Sequence, residues 1–200
     1  MAERPEIGVV ILAGGGATRL PKKLELEAGG VPMLVRVYRN VSTGRKTYIS
    51  CAGSFSPQID ALLDCPMVVD RWPRRGPLGG LVTTMEVIDT PLVFAVAGDA
   101  PFIEAGFIDR LAGAWQPGDE AVVPVHPGKA RKRLEPLASL YDRAAFLREG
   151  TQALASGDDS LHATVERMRI REFPISREDE RLFTNVNTPE DYAAAVAWIT

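Results

Sequence analysis

Short, largely apolar runs alternate along this chain with stretches of helical period, and that alternation constrains the fold more than any other feature. Ile7–Leu12, Thr47–Cys51, Met67–Val69, Leu92–Ala97, Ala121–Val125 and Leu137–Leu140 read as strands. Pro32–Val41, Ser56–Leu63, Gly80–Ile88 and Ala105–Trp115 lie between them and read as helices. Strands that are apolar throughout are buried on both faces, which calls for a parallel sheet covered by helices on either side. Right-handed crossovers then give an α/β, doubly wound, mostly parallel sheet, with ligands outside the carboxyl ends of its strands. Farther along, Asp142–Ala155 and Ser160–Arg167 have helical character and Arg169–Ile175 reads as a further strand. Thr188–Trp198 is a final helix, opened by a Thr cap and Pro189 at its first position. With 200 residues and neither repeat nor linker, the expected organisation is one domain over 1–200.

Composition removes several function classes. The chain carries 23 Lys+Arg against 26 Asp+Glu, a net charge of −3, so nucleic acid is not an expected partner. No apolar run approaches the length of a membrane span, and the charged opening Met1–Glu6 is unlike a signal peptide. A cytoplasmic protein with no membrane partner is therefore expected. Cys51 and Cys65 lack metal-ligand spacing and read as small buried hydrophobes. His126 and His162 are the only histidines, too few to support a zinc site or a Ser/His/Asp triad.

The first strand runs directly into Gly14-Gly15-Gly16, and the loop then delivers Arg19, Lys22 and Lys23. Glycines let backbone N–H groups approach a ligand, and successive amides in such a turn make an anion-binding concavity. With three cations beside it, a nucleoside triphosphate is the natural occupant. The dinucleotide fingerprint fails, because Arg19 stands where its third glycine belongs. The Gly-Lys-Ser/Thr ending of a Walker A loop is absent as well. A plain solvated strand-to-helix turn explains three glycines equally well.

Other polar residues gather at the same expected edge. Asp99 follows the apolar run Leu92–Ala97 and one glycine, where a carboxylate must be paired, capped or metal-bound. Magnesium takes one or two carboxylates together with water and phosphate oxygens. An Asx-turn accounts for Asp99 or for Asp70, at the end of the third strand, but less easily for both. Gly76-Pro77-Leu78-Gly79-Gly80 opens a helix whose small residues and dipole suit a planar ring or an anion. Asn185 and Asn187 precede the last helix, where capping alone explains at least one of them.

Taken in order, these motifs resemble the nucleotidyltransferases that build molybdenum cofactor dinucleotides, most nearly the guanylyltransferases. The resemblance rests on Leu12-Ala13-Gly14-Gly15, Arg19 and Lys23, Gly30-Val31-Pro32-Met33, and Asp70 before Gly76–Gly80. It continues through Asp99-Ala100-Pro101 to Asn185-Val186-Asn187-Thr188-Pro189-Glu190, nearly the whole chain. The family's Arg-Met-Gly-x-Asp-Lys is one residue shorter here, as Arg19-Leu20-Pro21-Lys22-Lys23, without the Gly and Asp. Lys23 is preferred over Lys22 as the phosphate lysine because its distance to Pro32 matches the family. No nucleotide-contacting Asn stands near Ser50-Cys51.

The resemblance implies a Rossmann-like nucleotidyltransferase sandwich that transfers GMP from GTP to molybdopterin and releases pyrophosphate. It implies Arg19, Lys23 and Asp99 as catalytic residues, and Asp99 as the ligand of Mg²⁺. Leu12, Ala13, Gly14, Gly15, Lys23, Asp70, Gly79 and Asp99 would bind the nucleotide. Asn185 and Asn187 would bind the pterin substrate, with Lys129–Arg133 and Arg74 or Arg75 facing its phosphate. Molybdoenzyme-maturation proteins are the protein partners such an enzyme would have. A cytidylyltransferase, a sugar-phosphate nucleotidyltransferase and a nucleotide-binding module that has lost catalysis remain alternatives.

Overall fold

The computed structural model describes residues 5–14, 20, 22–126 and 133–199. Its strands are β1 (Ile7–Leu12), β2 (Glu27–Ala28), β3 (Val31–Pro32), β4 (Thr47–Cys51), β5 (Met67–Val69) and β6 (Leu92–Ala97), followed by β7 (Ala121–His126), β8 (Arg133–Leu134), β9 (Ala138–Asp142) and β10 (Ile170–Pro174). The helices are α1 (Met33–Val41), α2 (Pro57–Asp60), α3 (Gly76–Met85), α4 (Ala105–Ala114), α5 (Arg143–Ser156), α6 (Leu161–Glu166) and α7 (Pro189–Ile199). The main sheet has the order β10-β7-β9-β6-β1-β4-β5, with β8 paired to β7; β2 and β3 form a separate hairpin.

The first four expected strands match the observed ones residue for residue, and β5-β4-β1-β6 form the parallel core the sequence calls for. Alternate side chains of β1 and β6 supply two separate cores. Val9, Ile11, Phe94 and Val96 pack with Leu34, Val37 and Val41 of α1 and with Phe107, Ile108 and Leu111 of α4. Val10, Val93 and Ala95 pack on the opposite face with Leu78, Leu81 and Met85 of α3 and with Phe146 and Leu154 of α5. Side chains two residues apart share a face of a strand, so a strand apolar at every position is the one both layers require.

The expectation of parallel pairing fails at β9, which lies antiparallel to both β6 and β7. β8 pairs antiparallel with β7, and only three residues separate β8 from β9, fewer than a parallel crossover needs. β7 and β10 are again parallel to each other. The third helix begins at Gly76 rather than Gly80, because Pro77 fits a first helical turn, where no N–H is needed. The helix expected over 56–63 shortens to Pro57–Asp60. A third, smaller cluster of Met33, Val186 and Ala195, flanked by Leu20, Phe102 and Tyr192, seats α7 against the start of α1. Among the described residues, no helix is long and apolar enough to cross a membrane.

Candidate active site

Strand register brings the carboxyl ends of the parallel strands level. Leu12 lies opposite both Ser50 and Ala97, and Cys51 lies opposite Val69. The backbone pairing continues just past the strands: Ala13 N–H donates to Ser50 O (2.8 Å), Gly98 N–H to Leu12 O (2.9 Å) and Asp70 N–H to Cys51 O (2.9 Å). A cleft of about 1120 Å³ opens over this rim. Leu12, Ala13 and Gly14 line one side, Ser50 to Phe55 and Asp70 another, and Lys22 to Glu25, Asp99 and Asn187 a third.

The charged centre of the cleft is a three-residue cluster. Lys23 Nζ forms an ion pair with Asp99 Oδ2 and donates to Asn187 Oδ1 at 2.8 Å. The lysine and aspartate side chains are only 17 % and 13 % exposed, so each charge depends on the other. The neighbouring main chain is tied in too, since Val186 N–H donates to Asp99 O at 2.9 Å. Lys22 also faces the cleft but stays exposed. Its backbone is left-handed (φ 54°), and its carbonyl accepts from Glu25 N–H in the 3-10 turn Lys23–Glu25. Lys23, not Lys22, is the lysine that meets Asp99.

The opposite wall is built from the β5–α3 loop. Asp70 Oδ1 accepts from Trp72 N–H (2.8 Å) and from the Thr83 hydroxyl (3.2 Å), so this carboxylate ties the loop to α3. Gly76, Pro77 and Gly80 face the cleft, as does the exposed Arg74. Arg75 turns away, donating to Leu154 O (2.6 Å) and pairing with Asp159 (3.0 Å). Gly79 is buried behind the wall, where a Cβ would lie 2.8 Å from Trp72 Cβ and 2.9 Å from Trp72 O. At Gly80 a Cβ would instead meet cleft atoms, Ser50 Oγ at 2.6 Å and Leu12 Cδ2 at 2.9 Å.

The structure thus collects Leu12, Ala13, Gly14, Lys23, Asp70, Asp99 and Asn187 around one cleft. It leaves two expected residues outside it. Gly79 packs on Trp72, because on a helix its neighbour Gly80 presents a different face. Asn185 is exposed and off the cleft wall, separated from Asn187 by the buried Val186. Gly15, Gly16 and Arg19 lie outside the described residues, as do Lys129, Arg131 and Lys132; Arg133 pairs with Glu135 at 3.0 Å. Sequence reasoning missed the wall from Ser50 to Phe55. Its signal was present: Ala52-Gly53-Ser54 are small residues directly after an apolar strand, at the edge where ligands bind. Cys51 in that wall is buried as expected, and burial pushes its thiol pKa up.

A family model described as a MobA-like NTP transferase domain matches residues 9–172. The chain belongs to the MobA-like NTP transferases. Relatives of this NTP transferase include a molybdenum cofactor guanylyltransferase of Burkholderia ambifaria (strain MC40-6), 31% identical over 95% of each chain. A probable molybdenum cofactor guanylyltransferase of Natronomonas pharaonis is 27% identical over 93% of this chain and 95% of its own. Among solved structures, molybdopterin-guanine dinucleotide biosynthesis protein A from Archaeoglobus fulgidus superposes with a TM-score of 0.80 at 21% identity, over 96% of this chain and 97% of that one. The 4-diphosphocytidyl-2C-methyl-D-erythritol synthase of Anaerococcus prevotii superposes with a TM-score of 0.75 at 16% identity, over 98% and 99%. The fold is therefore shared by enzymes of different base and acceptor, and the fold alone does not choose between them.

The MobA-like cleft is compatible with a divalent ion of the magnesium type. Among the described residues no three His, Cys, Asp or Glu side chains converge on one point. Asp99 is a hard oxygen donor at the cleft wall, the kind of single carboxylate expected where phosphates and water complete the shell.

Proposed function

We propose that this NTP transferase transfers GMP from GTP to molybdopterin, releasing pyrophosphate and forming the guanine dinucleotide cofactor. The reading is carried by relatives with that activity in their names, aligned over nearly the whole chain. The cluster of Lys23, Asp99 and Asn187 supports it, because it sets a cation and a carboxylate in one cleft with Gly14, just past β1.

In this reaction a terminal phosphate oxygen of molybdopterin attacks the α-phosphorus of GTP. The bond from that phosphorus to the bridging oxygen breaks, and pyrophosphate leaves with the electron pair. A phosphate monoester is already ionised at neutral pH, so no general base is required, and the scarcity of histidine is consistent with that. The barrier lies in bringing two polyanions together, which makes charge cancellation the enzyme's main task. Lys23, withdrawn from Asp99 and turned onto the phosphates, stabilises charge on the α-phosphate and the departing pyrophosphate; Arg19 shares this role. Asp99 would hold Mg²⁺, which supplies neutralisation of phosphate oxygens when bound. Leu12, Ala13 and Gly14 form the floor under the nucleoside, with Ser50, Asp70 and Gly80 closing its sides. Asn187 keeps Lys23 in register, and Arg74 is the described arginine of the loop placed to meet the acceptor phosphate.

The test is pyrophosphate release from GTP, CTP and ATP, each with molybdopterin and Mg²⁺. GTP-dependent release, abolished in a folded Asp99→Ala protein, is the expected result. Faster turnover of CTP overturns the choice of base. Nucleotide binding without pyrophosphate release from any triphosphate overturns the reaction itself.

A further inference from the structure

The last described helix begins two residues past Asn187, which lines the cleft, and its cap reaches back to that residue. Asp191 Oδ2 accepts from the N–H groups of both Asn187 (3.0 Å) and Thr188 (2.9 Å), while Asp191 N–H donates to Thr188 Oγ1 (3.1 Å). This is a reciprocal capping box, which fixes the backbone at the start of α7. The residue fixed is the one whose side-chain oxygen receives Lys23 Nζ. One residue earlier, Val186 is fully buried with Met33 and Ala195 and donates its N–H to Asp99 O. Successive residues therefore hold the two halves of the catalytic ion pair, Val186 the aspartate main chain and Asn187 the lysine ammonium.

We propose that Asp191 is a positioning residue for nucleotidyl transfer: by binding the backbone of Asn187 it sets the place of Lys23 in the cleft. Asp191 itself does not line the cleft. The family resemblance implies that Asn185 and Asn187 both bind the pterin substrate. The structure divides the pair differently. Asn185 is exposed and off the cleft, and the pairing that matters runs from Asn187 to a residue four positions on, inside the helix. A lysine has a long, freely rotating stem, so a fixed acceptor is what keeps its charge at one point before the phosphates arrive. Loss of that fixed acceptor acts on the transition state, because displacement of about 1 Å in a charge-stabilising group can cost about 10²-fold in rate.

The inference rests on the function proposed above, and the experiment separates the two. Turnover of GTP with molybdopterin is measured for the wild type, Asp191→Ala, Asp191→Asn, Asn187→Ala and the Asp191→Ala/Asn187→Ala double variant, well below each unfolding temperature. Asp191→Ala is expected to lower kcat by about 10- to 100-fold, with a smaller change in KM for GTP. Asp191→Asn keeps a side-chain acceptor oxygen and retains most of the turnover. In the Asn187→Ala background, removing Asp191 lowers the unfolding temperature again but does not lower kcat further. A cap that only stabilises the helix gives the opposite pattern: unchanged kcat in the single variant, or an equal drop in both backgrounds, and either overturns the proposal. If the wild type releases no pyrophosphate, the proposed function falls. A crystal structure of Asp191→Ala then decides positioning alone: Asn187 displaced from Lys23 supports it, and Asn187 unmoved ends it.

Discussion

Adjacent glycines at the start of α3 make opposite predictions for alanine. In a helix interior, Gly→Ala gains about 0.5–1 kcal/mol from backbone entropy and propensity. Against that stands the contact each new methyl makes. At position 79 it would lie 2.9 Å from the carbonyl oxygen of Trp72 and 2.8 Å from Trp72 Cβ, atoms that cannot move without shifting the loop. Overpacking of that kind costs about 1–3 kcal/mol, so the net loss is about 1–2 kcal/mol. At 2–4 °C per kcal/mol for a chain of this length, the melting temperature falls by about 2–8 °C. At position 80 the obstructing atoms are Ser50 Oγ at 2.6 Å and Leu12 Cδ2 at 2.9 Å, both ends of rotatable side chains. Rotation lowers the steric cost to roughly the size of the helix gain, and Gly80→Ala leaves stability within about 1 kcal/mol. The rotated groups belong to the cleft wall, however, so nucleotide affinity falls. Thermal unfolding with and without magnesium–GTP reads both quantities. Gly79→Ala melts early yet keeps its ligand-induced shift, whereas Gly80→Ala melts normally and loses much of that shift. The reverse pattern refutes the placement of these two residues.

Replacing Lys23 by Met removes the internal cation of Asp99, so Mn²⁺ without nucleotide binds this variant more tightly than wild type; equal affinity in a direct titration contradicts the ion pair. The same change lowers turnover by about 10²–10³, as loss of one preorganised charge contact does. Lys22→Gly relieves a left-handed non-glycine backbone, worth about 1 kcal/mol, and leaves turnover near wild type; loss of activity makes Lys22 the phosphate lysine. Arg110 hydrogen-bonds Asp179 at 2.6 and 2.9 Å and holds that buried carboxyl below its ordinary pKa. A depressed folded pKa stabilises above the unfolded value, near 4, and the contribution is lost as pH falls through the folded value. Asp179→Asn therefore melts below wild type at pH 7, and the gap closes progressively in acid below about pH 4; a gap independent of pH excludes the charge as its source.

Much of the parallel core was legible because its signal is local. Parallel strands buried on both faces need apolar residues at every position, as β1 and β6 show, and the shorter runs of β4 and of the edge strand β5 are bounded by turn residues. The antiparallel insertion of β9 was not legible, since the run over 137–140 carries no mark of the direction in which it enters the sheet. The site divides along the same line. Gly14, Asp70 and Asp99 stand next to strand ends, so their place follows from the strands. Asn187 reaches the cleft only because Val186, Met33 and Ala195 cluster across more than 150 positions of chain, which no local pattern encodes. Gly79 and Gly80 were inseparable in the sequence, because the helix phase that turns one to Trp72 and the other to Leu12 depends on where α3 begins.

Lys22, just before Lys23, takes a backbone conformation that glycine ordinarily supplies. The family pattern has a glycine in this stretch, and this chain has none between Arg19 and Lys23. Lys22 adopts the left-handed conformation, at φ 54°. Without a glycine the turn costs about 1 kcal/mol at that residue. The turn also decides which lysine serves the site. The left-handed step at Lys22 leads into the 3-10 turn that begins at Lys23, and Lys23 alone meets Asp99 and Asn187, while Lys22 stays exposed at the rim. Adjacent identical side chains thus receive different environments from one backbone torsion. The backbone at Lys22 and Lys23 in this way delivers an ammonium group to the carboxylate just past the end of β6.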